Sequence, residues 1–152
     1  MTKKILLLFV CAILFANIAC AQKIKLPYPS QVAYISETEN SMLLDVTVYN
    51  CKPKECIYYA NMDAIYEVLF IGIVDSKRYA KPFLSSAQED DPYLQGLFNN
   101  GGFNSFIVSN KMGDKGKTKD KQKYYNVTVN VNMKALKASL ARNNKINTFG
   151  IY

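Results

Sequence analysis

Two stretches of the chain alternate apolar and polar residues with a period of two. From Met42 to Tyr49, Leu44, Val46 and Val48 alternate with Asp45, Thr47 and Tyr49. From Tyr125 to Asn132, Tyr125, Val127, Val129 and Val131 alternate with Asn126, Thr128, Asn130 and Asn132. Successive side chains of a strand point to opposite faces, so this spacing predicts strands of an antiparallel sheet buried on one side. Gln31 to Ser36 reads as a shorter strand, with Val32, Tyr34 and Ser36 on one face. The polar turn Glu37 to Asn40 joins it to the Met42 strand as a hairpin. Phe103 to Ser109 returns to a strand pattern. The charged connection Lys111 to Lys121, with Gly113 and Gly116, joins it to the Tyr125 strand as a second hairpin.

Between the hairpins the period changes. Ile57, Ala60, Ala64, Ile65, Val68 and Leu69 recur at helical spacing, so a helix with one wide apolar face is expected. Pro53 suits its first turn, where a missing N–H costs nothing, and Gly72 marks its end. Asp75 to Gln88 has no regular period and reads as a loop. Asp90 or Asp91 then caps a second helix with Pro92 at its first position. Tyr93, Leu94, Leu97 and Phe98 form its apolar side, and Asn99 to Gly102 stops it. Asn132 caps a third helix, Met133 to Asn143, whose Met133, Leu136 and Leu140 point inward. The tail from Ile146 to Tyr152 is expected to add a short edge strand. Strands paired by turns and followed by helices give an α+β class: an antiparallel four-stranded sheet built from two hairpins, with two or three helices on one face.

The first residues follow a different logic. Lys3 and Lys4 precede an apolar stretch from Ile5 to Ile18, and the small residues Ala19, Cys20 and Ala21 come before Gln22. This is the layout of a secretory signal peptide over residues 1–21. The apolar run is shorter than the roughly 20 residues that a spanning helix needs. Nothing after Gln22 is long and apolar enough to span a bilayer. Cys20 is also a candidate for lipidation, since Ala19 fits a lipoprotein signal although Asn17 stands where an aliphatic residue is usual. Residues 22–29 would then be an extended tether, and residues 30–152 one domain. The compartment expected is the periplasm or the outer-membrane surface.

Charge is unevenly spread. Gln22 to Asn100 carries 7 basic and 10 acidic residues, whereas from Gly101 onward there are 10 basic and 2 acidic ones. Lys111, Lys115, Lys117, Lys119, Lys121 and Lys123 crowd into loop 111–123. Of these, Lys115, Lys117, Lys119 and Lys121 are the candidate contacts for an anionic glycan or lipid head group. A solvated loop kept soluble by its lysines is the plainer alternative. Nucleic acid is not expected for an exported chain. Cys51 and Cys56 are close enough to close a small disulfide loop in an oxidising compartment, with two free, half-buried thiols as the alternative.

The chain contains no histidine. This removes the commonest general base and the commonest neutral metal ligand, so no Ser-His-Asp or Cys-His site can be built. Glu89, Asp90 and Asp91 sit where a helix start favours negative charge. Asp63 and Glu67 are four residues apart on one helix and read as solvated. No catalytic residue, cofactor site or metal site is assigned. Tyr49, Tyr58, Tyr59, Tyr66 and Tyr79 concentrate in the first half of the chain, and Tyr58 and Tyr59 are the candidate contacts for a partner protein.

The segment Asp63-Ala64-Ile65-Tyr66-Glu67-Val68-Leu69-Phe70-Ile71-Gly72-Ile73 is similar to exported proteins of Bacteroidetes-type bacteria. So is Tyr125-Asn126-Val127-Thr128-Val129-Asn130-Val131 with its Leu-containing helix and Phe149-Gly150. Together they resemble small envelope domains of the LPP20 lipoprotein and flagellar-accessory type. That resemblance implies helices packed on a short antiparallel sheet, no catalytic residues, and a structural or assembly role at the cell envelope. The expectation is therefore a non-enzymatic protein-binding or scaffold domain that meets another envelope protein. The alternative is a binder of anionic glycan or lipid through loop 111–123.

Overall fold

The computed structural model describes residues 23–147. The signal segment, Cys20 and most of the expected tail strand lie outside them; Ile146 and Asn147 are not in a strand.

Four strands form one antiparallel sheet: β1 (Ser30–Glu37), β2 (Ser41–Tyr49), β3 (Ile107–Lys117) and β4 (Lys123–Asn132). Their order is β1-β2-β4-β3, so the two alternating strands lie side by side at the centre. Met42 faces Val131, Leu44 faces Val129 and Val46 faces Val127, and all six side chains are fully buried. The other faces of β2 and β4 carry residues such as Asp45, Thr47, Asn126 and Thr128, which stay partly exposed. There the Thr47 hydroxyl donates to the Asn126 side-chain amide oxygen at 3.0 Å.

Helix α1 (Cys56–Tyr66) runs on into π-helical turns over Glu67–Ile71. Gly72 ends it at φ +90°, and a Cβ there would meet the Ala80 carbonyl oxygen at 2.5 Å, so only glycine fits. Pro53 lies in a turn ahead of the helix instead of inside its first turn. Helix α2 (Pro92–Asn99) is capped by Asp91, whose carboxylate accepts from the Tyr93 and Leu94 amides. Helix α3 (Met133–Arg142) follows β4 directly, with the Asn132 side chain accepting from the Ala135 amide at 2.9 Å. The Tyr93 and Ser139 hydroxyls join α2 to α3 at 2.8 Å. Phe98, Phe103, Leu136 and Leu140 complete a core continuous with the inner face of the sheet.

Two further expectations are corrected. Phe103 is not in a strand: residues Gly102–Phe106 form a 3-10 turn that tucks Phe103 and Phe106 into the core, and β3 begins only at Ile107. Ser36 does not share the inner face with Val32 and Tyr34, because the register of β1 on β2 shifts between Tyr34 and Ser36, leaving Ser36 and Ile35 exposed. The segment before Ser30 is irregular and lies against the domain. Ile24 is buried in the core, Leu26 and Tyr28 pack against it, and the Pro29 carbonyl accepts from the Tyr49 amide at 2.9 Å.

Candidate functional site

The lysine-rich stretch is mostly strand. Residues 111–117 continue β3, and only 118–122 form the turn. A sequence full of Lys, Gly and Asp hides this, because β3 is an edge strand with almost no buried face to impose alternation. Its register on β4 pairs Lys111 with Thr128, Lys115 with Tyr125, Gly116 with Tyr124 and Lys117 with Lys123. Between Met112 and Lys115 the strand gains one residue over its partner, a bulge that changes which face the following residues occupy. Lys111 therefore belongs to the open face of the sheet, while Lys115 and Lys117 share the side of Tyr125.

The tip is tightly made. The Thr118 amide donates to the Gln122 carbonyl, and the Lys121 amide donates to the Thr118 carbonyl, both at 2.9 Å. Lys121 takes φ +62° to close this turn. The Tyr124 ring lies across Gly116; a Cβ on Gly116 would fall 2.7 Å from the tyrosine hydroxyl. Lys117 and Lys123 face each other directly, a like-charge cross-strand pair that opposes pairing unless an anion lies between the ammonium groups. Lys115, Lys119 and Lys121 extend the positive surface around them, all exposed. The ion pairs among the described residues are Lys52–Glu55 and Lys145–Asp91, so none engages the lysines of this hairpin.

Tyr58 and Tyr59 sit elsewhere, on α1, in a chain of edge-to-face rings. Tyr28 meets Tyr59 at 5.0 Å, Tyr59 meets Tyr58 at 5.3 Å and Tyr58 meets Phe103 at 5.1 Å. Tyr58 is 41% exposed, whereas Tyr59 is half-buried. The other tyrosines of the first half scatter: Tyr79 is buried, Tyr66 donates to Glu89, and Tyr49 donates to Gln31 on the open face. Cys51 and Cys56 form a disulfide with α-carbons 5.7 Å apart, pinning the end of β2 to the start of α1. Both are buried, not half-buried.

The acidic residues depart from their sequence reading. In the Glu89-Asp90-Asp91 cluster only Asp91 caps α2; Glu89 is buried and accepts from the Tyr66 hydroxyl at 3.1 Å. Loss of water around the Asp91 carboxyl pushes its pKa up, but Lys145 and the Leu94 and Tyr93 amides together outweigh this and hold it below its ordinary value. Asp63 is not solvated. It is 2% exposed, and neither carboxylate oxygen has a hydrogen-bond partner. Burial pushes its pKa up to about 7; the nearby Ser30 hydroxyl works against this, and the charge of Glu67 adds to it. Glu67 is also raised by burial. The spacing of Ala60, Asp63, Ala64 and Glu67 did carry a signal: α1 is closed in on nearly all sides, so position 63 falls inside. Asn61, equally buried, donates to Asn104 at 3.0 Å and accepts from Asn110 of β3 at 3.4 Å.

No group of three or more acidic or cysteine side chains is arranged to hold a metal ion among the described residues. No helix among them is long and apolar enough to cross a membrane. Comparison with protein-family models, curated proteins and solved structures finds no match.

Proposed function

We propose that this chain is a non-enzymatic, exported binding domain of the cell envelope, and that the tip of the β3–β4 hairpin docks it on an anionic glycan. The observation that carries this reading is the direct Lys117–Lys123 pair, extended by Lys115, Lys119 and Lys121 with no ion pair to neutralise them. A rigid ribbon loses less freedom on binding than a flexible loop with the same charge. A lipid surface suits the tip less well. Residues 117–123 include no apolar side chain that would enter an acyl layer. Export rests on the layout of residues 1–21, and an envelope setting on the resemblance drawn from the core positions.

Titration of the protein with polygalacturonate tests the reading. Binding is expected at low salt, weakening steeply as salt rises, because the contacts are exposed charges. A variant with Lys115, Lys117, Lys119 and Lys121 all changed to Gln should lose at least about tenfold in affinity while melting no lower than the wild type. Equal binding by that variant, or binding only to anionic vesicles, would overturn it.

A second reading has its own observation. Tyr58 stands 41% exposed between Tyr59 and Phe103 in a chain of edge-to-face rings that holds it in place. A rigid tyrosine of this kind is the usual anchor of a protein contact. Recovery of one stoichiometric envelope protein by the wild type but not by Tyr58→Ala favours it.

A further inference from the structure

We infer that Asp63, together with Glu67, is a proton-dependent latch under helix α1: the helix seats fully on the sheet only while this pair holds a proton. The geometry is that of a carboxyl group closed inside the core with nothing to neutralise it. Asp63 is 2% exposed, and both of its oxygens lack a hydrogen-bond partner. Four residues on, at the point where α1 loosens into π-helical turns, stands a second carboxyl, Glu67, itself half-buried.

No facing element supplies a counter-charge. On the inner side of the sheet, β2 presents only apolar residues, Met42 to Val48. β1 offers Tyr34, Glu37 and the Ser30 hydroxyl, and Glu37 is turned to the Ser76 hydroxyl. β4 offers Tyr125. β3 offers Lys115, which stands exposed at the edge opposite Tyr125 and makes no ion pair with Asp63. The 3-10 turn Gly102–Phe106 contains no titratable residue. From the loop before α2, Glu89 is engaged by Tyr66. An ionised Asp63 would thus be a lone buried anion beside a second acid, the arrangement that proteins avoid by keeping the proton.

The direction follows from linkage. The folded chain keeps a proton that the unfolded chain releases near its ordinary carboxylate value of about 3.9. Between there and about 7 the folded state binds more protons than the unfolded one. Stability therefore falls as pH rises through that window and stays low above it. Because Asn61 of the same helix ties α1 to Asn104 and to Asn110 of β3, loosening the helix also loosens the base of the lysine hairpin.

Thermal unfolding of the full chain between pH 5 and pH 8 tests this. The wild-type midpoint should fall as pH rises toward about 7 and level off above it. Asp63→Asn should remove most of that slope and melt above the wild type at pH 8. Glu67→Gln should shift the transition toward a lower proton demand, lessening the slope without abolishing it. A flat or rising wild-type midpoint, or an unchanged slope in Asp63→Asn, sinks the inference. Should Asp63→Asn fail to fold, a carbon-detected NMR titration of the wild-type Asp63 carboxyl decides: a midpoint near neutrality upholds the latch, and one near 4 overturns it.

Discussion

β3 and β4 are the two arms of one hairpin, bonded to each other along most of their length, yet they obey different rules. β4 has a neighbour on both sides and a helix layer over one face. Its residues alternate strictly, and Val127, Val129 and Val131 are completely buried. β3 has one neighbour, two register shifts, two glycines and three lysines, and nearly every side chain is exposed. The difference teaches that position in a sheet, not membership of a hairpin, decides what a strand's sequence must look like. A central strand is written by the core it fills. An edge strand is free to carry charge, and charge at the edge also discourages pairing with a second sheet.

The sharpest way to break this comparison is to place the same residue on both arms. Val129→Asp puts an unpaired carboxylate at the centre of the core and should cost roughly 4 kcal/mol or more, enough to leave the chain largely unfolded. Val108→Asp, on the exposed edge, should change stability by less than about 0.5 kcal/mol. Urea unfolding followed by circular dichroism separates the two; similar losses would mean that β3 is as deeply packed as β4.

The next effect lies where β4 leaves the sheet. Asn132 is its last residue and also the cap of α3, so Asn132→Ala should cost about 1 kcal/mol, with Asn132→Asp retaining most of the stability. A neutral Asn132→Ala would mean that packing of Met133 and Leu136 alone sets the start of the helix.

The smallest effect sharpens the comparison from the other arm. Lys117→Gln removes the like-charge pair with Lys123 and should raise stability by a few tenths of a kcal/mol at low salt, the gain vanishing as salt is added. A loss of stability in its place would mean that the lysine stem packs on the hairpin.

The same contrast explains what was legible in the sequence. The central strands, the disposition of the three helices and the α+β class were readable because burial imposes a period. Val127 to Val131 and Leu44 to Val48 show it without ambiguity. β3 was only partly readable, since an edge strand leaves no period, and Lys111 to Lys117 read equally well as a loop. Phe103 misled because an aromatic beside a strand pattern looks like part of the strand, while its burial is achieved by a 3-10 turn. The lysines of the candidate site were visible as composition; their pairing across β3 and β4 was not, because register depends on the bulge after Met112. Asp63 was missed for a related reason. Its helix is enclosed on more sides than an amphipathic helix, so the spacing of Asp63 with Ala60 and Ala64 pointed inward while its charge argued for solvent.

Ile24, buried six residues before the first strand, has a consequence for turnover. The packed core therefore reaches ahead of Ser30 into a stretch of irregular chain held by a few side chains. Such a stretch is where a protease gains its first purchase. A clip between Ile24 and Ser30 would uncouple Ile24 from the core and open the surface on which Leu26 and Tyr28 rest. That end is thus a place where a single cut would loosen the core without touching a helix or strand.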